Sequence, residues 1–212
     1  MKQETLSKIN IPIYDFMKTI RYHKDRMKVL EQGKYILPRL YFITETYKNL
    51  PKANKYSMNK DYEEGFAYYE PDELLQVTHD RHMDFYKHIL NQVLPSNHFP
   101  QRKQYYPIAL SFIDLSGSRR NRPTAIKIPH VHSLFIISPK TQKRFDTLIE
   151  NNFKLDLESP KTRFIKTVDC EEVPWDWRDV QRVVGYSSKF YNSTYSKKYV
   201  EEVRSKIFSM HG

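Results

Sequence analysis

Residues 126–138, Ile-Lys-Ile-Pro-His-Val-His-Ser-Leu-Phe-Ile-Ile-Ser, constrain the fold of this chain more than any other stretch. The run is dominated by apolar and β-branched residues, follows Pro123 and ends at Ser138-Pro139, so it reads as a buried strand. Strand side chains alternate between faces with a period of two, which puts His130 and His132 on one face and Val131 on the other. Two imidazoles side by side on a rigid element offer two nitrogen ligands to one divalent metal. A His-apolar-His triplet turns up by chance in roughly one chain in ten with 8 His, so the remaining sequence has to carry the reading.

The length of 212 residues suits one domain with a core of its own, over residues 35–212, preceded by a basic helical extension over residues 1–34. Lys and Arg exceed Asp and Glu by 35 − 25 = 10, which points to a polyanionic partner, most commonly nucleic acid. The single cysteine, Cys170, has no internal disulfide partner, as expected of a reducing compartment. It stands between Asp169 and Glu171, where a thiolate is disfavoured, and reads as structural. No apolar run reaches the length of a membrane span and no signal-peptide core is present, so a soluble intracellular protein is expected.

In chain order, residues 12–31 form a basic amphipathic helix with Ile13, Phe16, Met17, Ile20, Met27 and Leu30 at its apolar positions. After Gly33 and Pro38, residues 40–47 read as a strand. A polar, tyrosine-rich loop over 48–70 leads to a helix that starts at Pro71-Asp72-Glu73 and runs to about residue 94, burying Thr78, Phe85, Ile89 and Val93. His79, His82 and His88 on that helix lack a convincing ligand spacing and read as solvated or capping residues. Residues 106–115 form a strand, and the turn 116–123 returns it into the histidine strand as an antiparallel hairpin. Asp114 lies near the turn end, beside the histidines as a ligand or as a strand-end cap. A helix over 140–152, a strand over 162–168, a helical region from Trp175 and an amphipathic helix near 199–208 complete the chain.

Strand, helix, strand, strand, helix, strand, helix is the succession of a ferredoxin-like (RRM-like) α+β fold. The expected architecture is an antiparallel sheet of four to five strands with helices on one face, the other face open to a ligand, plus N- and C-terminal helices.

Near the C-terminus, Tyr186 and Lys189 stand three residues apart on one helix face, with Arg182 a turn earlier. A phenol beside cations is a candidate nucleophile toward phosphorus, and a metal on His130, His132 and a carboxylate would orient the phosphate it attacks. Tyr-x-x-Lys occurs twice here, so its place after the fourth strand is what gives it weight.

Three short segments, Tyr41-Phe42-Ile43-Thr44, His130-Val131-His132 and Tyr186-Ser187-Ser188-Lys189, follow one another on this succession of elements. In that order they resemble the motifs of the HUH endonucleases, and within them the rolling-circle replication initiators of small plasmids and single-stranded DNA viruses. The resemblance covers roughly residues 38–195. It implies a nickase of single-stranded DNA or of an origin hairpin that joins itself to the 5′-phosphate and frees a 3′-hydroxyl. Tyr186 would be the nucleophile, Lys189 its helper, and His130, His132 and Asp114 the ligands of Mg or Mn. Arg119, Arg120 and Arg122 in the hairpin turn, with Arg182, Tyr41 and Thr44, would contact DNA. Tyr191 or Tyr195 is the candidate for a second nucleophile.

No phosphate-loop motif is present, so a helicase would come from the host or a separate protein. The resemblance implies a bacterial cytoplasm, or the nucleus for a eukaryotic virus. Within the same chemistry a transposase or mobilisation protein is the alternative, and outside it a non-catalytic nucleic-acid-binding module on the same fold.

Overall fold

The computed structural model describes residues 3–48, 71–94, 105–114, 130–156 and 158–187. Its elements are α1 (Gln3–Met27), β1 (Val29–Glu31), β2 (Lys34–Ile36), β3 (Arg39–Tyr47), α2 (Pro71–Val93), β4 (Ile108–Asp114), β5 (His130–Ile137), α3 (Pro139–Glu150), β6 (Ile165–Val173) and α4 (Trp177–Ser187). The main sheet has the order β4-β5-β3-β6, with every neighbouring pair antiparallel. β3 therefore runs parallel to β4 with β5 between them, and β5 parallel to β6 with β3 between them. These are two split βαβ units, crossed by α2 and α3, which is the expected ferredoxin-like α+β arrangement.

Right-handed crossovers bring both connecting helices to the same face of the sheet. There Phe85, Ile89 and Val93 of α2 and Phe145 and Leu148 of α3 pack on Tyr41, Ile43, Tyr47, Val131, Phe135 and Ile137. The opposite face, expected to lie open, is covered over part of its length. Met17, Ile20 and Met27 of α1 and Val180, Val183 and Val184 of α4 pack on Leu40, Leu110, Leu134 and Ile136. The physical reason is the apolar run at residues 134–137 of β5, which is buried on both faces and needs a cover on each.

Several boundaries also differ from expectation. Helix α1 ends at Met27, because residues 29–36 fold back as the β1-β2 hairpin. Its two loop residues, Gln32 and Gly33, have φ of 50° and 75°, the left-handed pair that a tight type I′ turn requires. β6 extends to Val173 through Asp169, Glu171 and Glu172, which are exposed on an edge strand that tolerates charge. The loop 48–70 from residue 49, the turn 116–123, residues 126–129 and the helix expected near 199–208 lie outside the described residues.

Two of the α2 histidines are buried rather than solvated. His88 Nε2 lies 2.8 Å from the Phe153 carbonyl. His82 Nδ1 lies 2.9 Å from Oε1 of Glu45, a fully buried carboxylate on β3 that also accepts a 2.7 Å bond from the Tyr47 hydroxyl. Burial of a carboxylate is tolerated here because its oxygens are held by a ring and a phenol. His82→Leu is expected to lower the stability by about 3–5 kcal/mol, as leaving one half of a buried pair does, read from the urea midpoint. Glu45→Met added to it should restore much of the loss; if the double variant is less stable than the single one, the pair is not the source.

Candidate metal centre

Antiparallel register decides what surrounds each histidine. His130 is paired with Asp114 on β4 and Thr46 on β3, while His132 is paired with Phe112 and Thr44. Directly paired residues share a face, so all six side chains stand on the side of α1 and α4. Phe112 packs on Phe16 of α1, while Thr44, Thr46, Asp114, His130 and His132 form the polar end of that face.

The three candidate ligands converge. Asp114 Oδ2 lies 3.3 Å from His130 Nε2 and 3.6 Å from His132 Nε2, and one ligand atom from each residue falls within 4.8 Å of the others. Around one ion with bonds of about 2.1 Å, neighbouring donors stand about 3.0 Å apart in an octahedral shell and about 3.4 Å in a tetrahedral one. The observed separations therefore suit a single shared ion. Asp114 and His132 are buried and His130 is half-buried, so the group is open to solvent on the His130 side. A carboxylate set between two imidazoles is a donor set that can hold a divalent cation.

His132 is held on every side. Thr44 Oγ1 and His132 Nδ1 share a hydrogen bond of 3.0 Å, Phe42 stacks on the ring at 5.4 Å and 21°, and His130 meets it edge-on at 4.7 Å. Tyr186 from α4 completes the enclosure, with ring centroids 5.1 Å apart. Its helix begins after the Trp175 indole has donated to the Pro38 carbonyl at 2.5 Å and is seated by Val180, Val183 and Val184. Tyr186 thus reaches the centre from the helix flank and remains 39% exposed.

Other expected site residues fall differently. Tyr41, expected among exposed base-stacking aromatics, is a correction: it has the opposite parity to Thr44 and is buried under Phe145 of α3. Its hydroxyl donates to Asp146 Oδ1 at 2.9 Å, and burial, with that bond, pushes the phenol up to about 12. Thr44, expected to touch DNA, is half-buried with its hydroxyl on His132. Arg182 is exposed and lies 3.6 Å from Asp179. Lys189, Arg119, Arg120, Arg122, Tyr191 and Tyr195 lie outside the described residues.

The roles of Thr44 and Phe42 beside His132 escaped sequence reasoning, because they depend on strand register. The available signal was parity: both share the face of Leu40 on an alternating strand. Among the described residues no helix is long and apolar enough to cross a membrane.

No protein-family model, curated protein or solved structure matches this chain.

Two outcomes test this geometry. Mn titration followed by the electron paramagnetic resonance of free Mn should show one site, weakened at least tenfold in His132→Ala and in Asp114→Asn; undiminished binding in both would remove the centre. The Cys170 thiol is pushed up to about 12, first by burial and then by Asp146 and Glu172. Because its thiolate forms only near that pH, the native protein at pH 8 should resist a thiol reagent that labels the urea-unfolded chain quickly.

Proposed function

We propose that this protein is a metal-dependent, tyrosine-nucleophile endonuclease of single-stranded DNA, of the HUH type, which nicks and rejoins a strand to initiate rolling-circle replication. The observation that carries this reading is the place of Tyr186, an exposed phenol on a seated helix whose ring lies 5.1 Å from that of His132 in the Asp114-His130-His132 group. Tyr186 and that group, far apart in sequence, are neighbours in space. The resemblance to HUH endonucleases supplies the reaction class, and the net charge of +10 suits a polyanionic substrate.

A divalent ion on Asp114, His130 and His132, Mg or Mn, would bind the scissile phosphate oxygens and offset the charge that develops on them. Imidazole donors favour Mn in affinity, while cellular supply favours Mg. The chain's own groups do the rest. Tyr186 Oη attacks phosphorus opposite the 3′ oxygen; the P–Oη bond forms as the P–O3′ bond breaks. The phenol proton passes to solvent and the 3′ oxygen takes one up, leaving the 5′-phosphate on Tyr186 and a free 3′-hydroxyl. Rejoining runs the same exchange backwards, with no water consumed and no redox change.

Phe42 stands under both Tyr186 and His132, with its ring centroid 6.2 Å from that of Tyr186, and limits how far the phenol can swing. Lys189 assists the phenol, as the resemblance implies, and the charges of Arg119, Arg120, Arg122 and Arg182 suit the strand or an origin hairpin. A host or separate helicase would supply unwinding.

Incubation of the full chain with end-labelled single-stranded oligonucleotides, with Mn or with chelator, followed by a denaturing gel, tests the proposal. A Mn-dependent protein–DNA adduct at the 5′-phosphate is expected, absent in Tyr186→Phe and reduced at least a hundredfold in His130→Ala. DNA binding without an adduct on oligonucleotides carrying the native origin would leave the non-catalytic nucleic-acid-binding module as the function.

A further inference from the structure

We infer that Thr44 is a positioning residue of the metal centre: its hydroxyl, 3.0 Å from His132 Nδ1, holds the imidazole in the tautomer that turns an unprotonated Nε2 toward Asp114 and the ion. The inference rests on the metal-centre reading above and adds to it a residue from a third strand. Asp114 comes from β4, the two histidines from β5 and Thr44 from β3, so the centre spans three adjacent strands.

A neutral imidazole carries its proton on one nitrogen only, and a ring that ligates through Nε2 must carry it on Nδ1. Something has to accept from that Nδ1–H, because an imidazole NH buried without an acceptor is costly. Thr44 Oγ1, 3.0 Å from that nitrogen, is an acceptor in place. Its geometry is well suited to the task. Thr44 is the direct cross-strand partner of His132, and a β-branched side chain on a strand has few χ1 choices, so the hydroxyl is presented in a fixed direction. Phe42 stacked on the ring and Tyr186 at its edge oppose rotation about χ2, so that Nδ1 stays beside the hydroxyl, which accepts from Nδ1–H once Nε2 is turned to the ion.

The choice of a hydroxyl also sets the charge of the site. Histidine ligands often pass their second NH to a carboxylate. Behind the same strand, Glu45 does this for His82, but on the opposite face. With Thr44 as a neutral acceptor, Asp114 is the sole anion in the ligand group, and a divalent cation there leaves a net charge of +1. A centre of that charge attracts a phosphodiester, whereas a second carboxylate would cancel the attraction. The threonine in the Tyr41-Phe42-Ile43-Thr44 segment thereby acquires a chemical role that does not require it to touch DNA.

The test compares Thr44→Val, which keeps the shape and loses the hydroxyl, with Thr44→Ser, which keeps the hydroxyl. In protein labelled with ¹⁵N-histidine and with His132 assigned through a His132→Gln variant, metal-free wild type should show His132 protonated at Nδ1. That signature should persist in Thr44→Ser and be lost in Thr44→Val. Mn affinity should fall about tenfold to a hundredfold in Thr44→Val and stay within about threefold of wild type in Thr44→Ser. Unchanged melting temperatures would separate positioning from damage to the strand. A wild-type His132 protonated at Nε2, or Mn bound by Thr44→Val as tightly as by wild type, overturns the inference alone. Failure of wild type itself to bind Mn overturns the metal reading and the inference with it.

Discussion

The pairing of β5 between β4 and β3 is the constraint on which the rest of the molecule depends. Side chains alternate along a strand and coincide across a pair, so one register brings Asp114, His130, His132 and Thr44 to a common face. A slip of one residue would turn both histidines into the α2-α3 core and send Val131 outward. Burial on both faces forbids that slip: Val131, Phe135 and Ile137 fill one core and Leu134 and Ile136 the other. A buried hydrogen bond of 2.9 Å from Ser133 to Ser111 further ties β5 to β4 at a single alignment.

Along its length the α1-α4 face divides into two functions. Its apolar half, around Leu40, Leu134 and Ile136, is sealed by α1 and α4 because leaving it wet would forfeit about 25 cal/mol per Å² of apolar surface. Its polar half carries histidines, threonines and Asp114, which gain little from an apolar lid. Helix α4 spans the division: Val180, Val183 and Val184 anchor it in the sealed half while Tyr186 extends to the polar half. One amphipathic helix thus contributes both to stability and to the placement of the phenol. Behind the site, the buried Glu45-His82-Tyr47 group ties β3 to α2 at the strand position between Thr44 and Thr46.

Much of this was legible from local pattern. The period-two placement of His130 and His132, the split βαβ succession and the helix positions of Phe85, Ile89 and Val93 follow from alternation and 3.6-residue spacing. Asp114 was legible because a hairpin links neighbouring strands and limits which residues can oppose each other. What escaped was long-range. Tyr41 and Thr44 stand three residues apart on one strand and appear equally available in sequence, yet one faces α3 and the other His132. His82 looked like a surface residue until Glu45, 37 positions away, was placed against it. The covering of the second sheet face by α1 and α4 was implied by the doubly apolar run at 134–137, but amphipathicity alone does not say where a helix docks.

By itself, then, the sequence determined the element types of the main sheet and its crossovers, the α+β class and the pairing of two imidazoles on one strand face, because these depend on spacings of two to four residues. Only the tertiary structure decided which third strand joins the histidines, how near the ring of Tyr186 comes to His132 and which polar groups are buried. Those outcomes depend on register between strands far apart in the chain and on the docking of helices against a two-sided core. Both are set by total buried surface and hydrogen-bond satisfaction over the whole fold rather than by any local pattern.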